Sequence, residues 1–239
     1  VNIRKSISEL KNLHIGADIY VIGSGPSTDH MSPGFFDGKI VVGCNEAYQR
    51  FRTDYTITLH TCVIRAALEN KQVVVAPMNE CADRSSPANA EAGDMYIYSH
   101  KAWRHGDVEA NTARCLDTIG KDDDLFMVHT VITGAIHFAA HLGAKNIILC
   151  GIDCGFLDGK MNNEGYQYGT VLQIHDNNEE RYLEFMEKWF LKSQELVLRM
   201  RPRIKEAYGS EIFSIVPFIG LDLEGHVFSH KPSGGIGLK

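Results

Sequence analysis

The sequence predicts an α/β fold of Rossmann type, a mostly parallel sheet with helices on both faces. Three observations predict it. Short runs rich in β-branched residues recur along the chain, with helix-like segments between them. Most of these runs are continuously apolar rather than alternating, as expected of strands covered on both sides. The first of them passes directly into a Gly-x-Gly turn, Gly23-Ser24-Gly25.

Taken in order, Asp18 to Ile22 reads as the first buried strand and Lys39 to Gly43 as the second. Tyr55 to Leu59 alternates Thr with apolar residues, and Gln72 to Ala76 is a continuous, valine-rich run. Residues 79 to 124 are rich in Ala, Asn, Asp, Glu and Ser, with one strand-like piece, Met95 to Tyr98, and read as an insertion or lid over the sheet. Tyr98 and Trp103 are its candidates for stacking on a sugar or base, although ordinary packing of the insertion is the better explanation of them. Leu125 to Val128, Asn146 to Gly151 and Ile212 to Val216 complete the predicted strands. Thr133 to Leu142 is a small-residue helix ended by Gly143. Asn177 to Met200 opens with Asn177-Asn178-Glu179-Glu180, a capping residue followed by first-turn acids, and carries an apolar stripe. Pro202 is expected to interrupt it, leaving a short helix to Tyr208.

The 239 residues suit one nucleotide-binding α/β domain over 1–239 with the insertion at 79–124. No apolar run approaches the roughly 20 residues of a membrane span, and the start, Val1-Asn2-Ile3-Arg4-Lys5, leads into no signal-like core. Scattered cysteines without a CxxC pair suit a reducing compartment, so a soluble, cytoplasmic protein is expected. A net charge of −6 argues against nucleic acid as a partner, because backbone binding needs a basic stripe. It does not argue against a small anion, which amides at a helix start can hold. Homo-oligomerisation is left open by the sequence.

The turn Gly23-Ser24-Gly25-Pro26-Ser27 departs from the usual dinucleotide fingerprint. Pro26 follows the second glycine, no third glycine comes three residues on, and Pro33-Gly34 ends any helix early. Here Gly23 is expected to allow the sharp turn and Gly25 to let a ligand approach the backbone. The second strand ends Gly43-Cys44-Asn45, and Asn45 can both donate to and accept from a base or ribose edge, or simply form a turn. Asp153, at a strand end, is the better-placed functional acid. Two metal-like patterns are not read as metal sites. Asp122-Asp123-Asp124 precedes its strand rather than ending one, and the His137/His141 pair has Phe138 where a zinc protease needs a glutamate.

Four blocks, in order, resemble the bacterial sialyltransferases of glycosyltransferase family 42 and a related family that includes 6-hydroxymethylpterin diphosphokinase-like proteins. They are Val21 to Ser27, Gly43-Cys44-Asn45, Thr133-Gly134 leading to Leu142-Gly143 and on to Gly151-Ile152-Asp153, and His175 ahead of Leu183 to Lys188. The resemblance implies nucleotide contact by Gly23, Ser24, Gly25, Pro26, Ser27 and Asn45. It also implies phosphate or ribose contact by Thr133 and Gly134, and a general base at His175. Ser24 stands where the family has asparagine, and His60 where a third binding asparagine would follow the third strand. Tyr166 and Tyr168 lie where the family keeps phosphate-binding tyrosines, at a different spacing.

The implied activity is transfer of a sugar from a nucleotide-sugar donor, CMP-linked in the sialyltransferases, to an acceptor hydroxyl, with no tightly bound cofactor. The partners would be small molecules, a nucleotide and a sugar acceptor. A histidine near neutrality suits deprotonation of the acceptor, and Asp176 can orient His175 or be a simple helix-start acid. The alternatives are a pyrophosphokinase-like enzyme using ATP and magnesium, in which Asp153 matters more, or a nucleotide-binding protein without catalysis. An NAD-dependent reductase is disfavoured by Pro26 and the missing glycine.

Overall fold

The computed structural model describes residues 4–78, 94–99, 108–121, 123–128, 130–157, 159–166 and 179–215. Eight strands form one sheet in which every pairing is parallel: β1 (Arg4–Ser6), β2 (Asp18–Ile22), β3 (Ile40–Cys44), β4 (Tyr55–Ile57), β5 (Val74–Pro77), β6 (Met95–Tyr98), β7 (Asn146–Cys150) and β8 (Glu211–Ser214). Their spatial order is β1-β6-β5-β4-β3-β2-β7-β8. The protein is therefore a Rossmann-like α/β protein. From β2 the chain winds outward through β3, β4, β5 and β6, then returns to place β7 and β8 on the other side of β2. The winding direction reverses between β2 and β7, and in open parallel sheets that reversal opens a crevice beyond the carboxyl ends of the two strands.

Successive strand residues face opposite sides of the sheet, and each side has its own core. Ile19, Val21, Val42, Ile57, Ile147 and Leu149 pack under α2 (Val108–Leu116), α3 (Val131–His141) and α4 (Glu179–Tyr208). On the other side Tyr20, Ile22, Val41 and Ile148 meet Phe36 and Phe51, while Val74 and Ala76 meet α1 (Thr61–Glu69). Residues 133–141 of α3 are all buried, which explains the small residues of this helix. A Cβ on Gly134 would come within 2.0 Å of the Met127 methyl.

Four expectations change. Met95–Tyr98 is an interior strand paired with β1 and β5, and α2 carries Cys115 and Leu116 into the core, so these parts of 79–124 are not a cover over the sheet. Tyr98 is itself buried and is no stacking platform; residues 79–93 and 100–107, with Trp103, lie outside the described residues. Leu125 to Val128 forms no sheet strand. It is a buried segment with mixed partners: Leu125 N–H donates to Ser99 O at 3.0 Å just beyond β6, while Phe126 N–H donates to His137 Nδ1 at 2.7 Å and Val128 N–H to Thr133 Oγ1 at 3.2 Å. Pro202 does not end its helix, because α4 runs unbroken to Tyr208. Leu198, whose carbonyl loses its donor there, is exposed, and water can serve that oxygen. The edge strand β1 has too short a run to be legible. Among the described residues no helix is long and apolar enough to cross a membrane.

Candidate functional site

The crevice between β2 and β7 is a real cavity of about 390 Å3, a size suited to a small ligand. Its lining comes from the loops after β2, β3, β4 and β7, from the start of α3 and from α4. The sequence-identified residues Gly23, Ser24, Gly25, Asn45, His60, Asp153 and Tyr166 all line it. Parts of the chain more than a hundred residues apart thus meet at one end of the sheet.

The two central loops are zipped together. Gly23 N–H donates to Cys150 O at 2.9 Å and Gly25 N–H to Gly151 O at 2.6 Å. Neither glycine has a positive φ; close approach explains both. A Cβ on Gly23 would lie 2.7 Å from Gly151 O, and one on Gly25 would lie 2.6 Å from both Gly151 O and Asp153 Oδ2. The room left by these glycines is filled by the neighbouring loop, not by a ligand. Gly151 repays the fit: its φ is +60°, and a Cβ there would meet Thr28 Cγ2 at 2.1 Å.

Asp153 fastens the loop. One oxygen accepts from Ser27 N–H at 2.8 Å and the other from the Ser27 hydroxyl. Burial raises the Asp153 carboxyl above its ordinary pKa, and the Ser27 bonds oppose that rise. Of the loop's main-chain donors, those of Gly23, Gly25 and Ser27 are therefore engaged and Pro26 has none. Within residues 23–27 the Ser24 N–H is the one main-chain donor with no partner among the described residues, and Ser24 is the loop's half-buried residue. Ser24 is held by a second strap, donating from Oγ to Asn162 Oδ1 at 3.1 Å and accepting at its carbonyl from Asn163 N–H at 2.8 Å.

Asn45 adopts φ +51°, a left-handed conformation that asparagine tolerates. Its Oδ1 accepts from Thr58 Oγ1 at 2.9 Å, and Thr58 Oγ1 accepts from His60 N–H at 3.2 Å, joining the loops after β3 and β4. Both readings of Asn45 hold at once, since it shapes a turn and its amide also lines the cavity. Cys44 and Cys154 beside it are buried thiols pushed up to about 12 by desolvation, which keeps them un-ionised.

At α3 the wall differs from expectation. Thr133 and Gly134 are fully enclosed, and Thr133 Oγ1 is engaged by Val128 and by Thr130 O. The residues facing the cavity are Thr130, Val131 and Ile132, the cap and first turn of the helix, where Thr130 Oγ1 accepts from Ile132 N–H at 3.3 Å. The resemblance implied phosphate or ribose contact at Thr133 and Gly134, whereas the residues of this helix that border the cavity lie about one turn earlier. His175 and Tyr168 lie outside the described residues. Among the participants that escaped the sequence reading are Thr58, Asn162, Phe185 and Trp189. The last two had a signal, because they share one side of an apolar helix stripe, but a stripe alone cannot tell core from cavity wall.

The histidines that resembled a zinc pair serve the core. His137 Nδ1 accepts from Phe126 N–H and its Nε2 meets Tyr208 OH at 2.8 Å, while His141 Nε2 donates to Ile7 O at 2.9 Å. Among the described residues no three metal-binding side chains converge.

No protein-family model matches the chain, and no curated protein matches it. Among solved structures it is similar to the MAf glycosyltransferase from Magnetospirillum magneticum AMB-1, at 18% identity and a TM-score of 0.46. The match covers 69% of this chain and 27% of that one, so the chain spans about a quarter of that protein's length. The class of the molecule rests on its own sheet: a Rossmann-like α/β protein with a cavity at the point where its winding reverses.

Proposed function

We propose that the protein transfers a sugar from a nucleotide-sugar donor, CMP-linked, to an acceptor hydroxyl, within the cavity between β2 and β7. The observation that carries this reading is the convergence there of the Ser24 turn, the Asn45 amide and the first turn of α3. Asn45 and His60 suit the base and ribose, and the N-terminal amides of α3 suit one phosphate. Among the described residues lining the cavity there is no Lys or Arg. That favours a donor with a single phosphate over a di- or triphosphate, whose charge needs cations to balance it.

In the proposed reaction the acceptor O–H proton passes to His175 as the acceptor oxygen bonds to the anomeric carbon. The bond from that carbon to the phosphate oxygen breaks, and CMP leaves with the electron pair, its charge received at the start of α3. Tyr166, and Tyr168 beside it in sequence, would hold the phosphate. The magnesium- and ATP-dependent alternative asks Asp153 to hold a cation, and both of its oxygens already accept from Ser27. Asp153 is better read as the positioning residue of the loop.

Thermal-shift measurements with CMP, CDP, UDP, ATP and NAD, each with and without magnesium, test the reading. Stabilisation by CMP without magnesium is expected. A strict requirement for ATP with magnesium transfers the argument to a pyrophosphokinase, and no response to any nucleotide overturns it. Replacement His175→Ala should abolish turnover while leaving the CMP shift intact.

A further inference from the structure

The cavity has two unlike sides, and we propose that the side formed by α4 is a subsite for an apolar aglycone, an aryl ring or alkyl chain carried by the acceptor. The acceptor is then amphipathic, not a free sugar; this rests on the transfer reading above. On this side the lining consists of Phe185, Met186, Trp189 and Phe190, with Met161 and Ile152 adjoining. The rings brace one another: Phe185 and Trp189 stack at 5.3 Å with planes 30° apart, and Phe190 meets Phe156 edge-on at 5.7 Å. Phe185 nevertheless keeps 39% of its surface exposed, and Trp189 is half-buried.

Sugars are recognised through hydrogen bonds to their hydroxyls as well as by stacking on rings, and the described side chains of α4 bring the cavity no amide or charged group. Its one polar contribution among the described residues, Ser193, already donates to Trp189 O at 2.8 Å. The polar groups (Ser24, Asn45, His60, Asn162) belong instead to the loops after the strands and to the strap. One continuous cavity, polar at the loops and apolar at the helix, fits a small molecule with the same division. Its size excludes a folded partner. The two thioethers, flexible and polarizable, let the wall accommodate either a ring or a chain.

The test titrates methyl, phenyl and hexyl β-glucosides into CMP-treated protein by calorimetry, a readout that the Trp189 variants keep, and follows indole fluorescence in parallel on protein carrying Trp103→Phe, in which Trp189 is the only indole. Phenyl or hexyl glucoside is expected to change Trp189 fluorescence and to bind about tenfold or more tightly than the methyl compound. A gain confined to phenyl marks an aryl aglycone, and a gain with hexyl marks an alkyl chain. The gain should disappear in Trp189→Ala and return in Trp189→Phe. Equal affinities for all three glucosides, or a gain that survives Trp189→Ala, overturn the subsite. So does a Trp189→Ala variant that loses CMP affinity and keeps its preference among glucosides, because the base would then occupy this wall. The ranking of the three compounds on protein with Trp189 intact decides the matter even if Trp189→Ala fails to fold. If no nucleotide binds while the ranking holds, the transfer reading fails and the apolar subsite stands.

Discussion

Helix α3 connects two polar clusters that burial affects in opposite directions. Near its start, Asp153 holds the Ser27 loop beside an open cavity, and desolvation raises its carboxyl. In its middle, His137 lies fully enclosed between Phe126 and Tyr208, and desolvation lowers its imidazole to about 3. Low polarity disfavours charge in both, which raises an acid and lowers a base. The difference lies in what is complete. Both ring nitrogens of His137 are engaged within the core, so nothing remains for a ligand. Asp153 is also engaged, but the residue it holds borders the Ser24 amide and the cavity. The core cluster is a structural anchor, and the rim cluster is the support of a binding loop.

The largest effect should come from breaking the core cluster. Replacement His137→Ala removes the partner of Phe126 N–H and one of the partners of Tyr208 OH and leaves a cavity, and should lower stability by about 3 kcal/mol in denaturant unfolding. A loss under about 1 kcal/mol would dissolve the distinction drawn between the two clusters. At the rim, Gly25→Ala should cost about 2 kcal/mol, because its Cβ meets a backbone oxygen and a held carboxylate. Unlike His137→Ala, it should also weaken the thermal shift given by nucleotide.

The pH dependence sharpens the contrast. His137 is neutral in the fold and protonates near 6.5 when unfolded, so the unfolded state binds more protons between those limits. Its stabilising contribution is complete above pH 6.5 and falls by roughly 1.4 kcal/mol per unit as pH drops toward 3. Asp153 acts with the opposite sign. Its raised carboxyl favours the fold most below the ordinary aspartate range, and that contribution is lost as pH rises through the shifted value. Stability measured from pH 4 to 8 should therefore lose much of its acid limb in His137→Gln and keep it in Asp153→Asn.

Much of the fold was legible because it is written in local runs. Continuous apolar segments located β2, β3, β7 and β8 to within a residue or two, and Gly143, at φ +92°, ended α3 where expected. Leu125 to Val128 shows how the same signal misleads. Four apolar residues are compatible with any buried segment, and here side chains of α3 bind the Phe126 and Val128 amides, while only the Leu125 amide finds a main-chain partner, Ser99 O. Pro202 misled for the complementary reason: its cost in a helix depends on whether the freed carbonyl faces water, which composition does not reveal.

The site followed the same division. That a glycine turn follows β2 and a Gly-Ile-Asp follows β7 is a property of neighbouring residues, and the sequence by itself determined it. Which donors remain available was decided only in three dimensions. Ser27 and Asp153 are 126 positions apart, and their contact exists because the sheet sets β2 beside β7. That pairing brings Gly23 and Gly25 against Gly151, engages the amides expected to serve a ligand, and leaves Ser24 and the first turn of α3 facing the cavity. Local patterning specifies strands and turns through short-range sterics. The choice of sheet neighbours depends on burial summed over the whole chain, and no segment carries that sum alone.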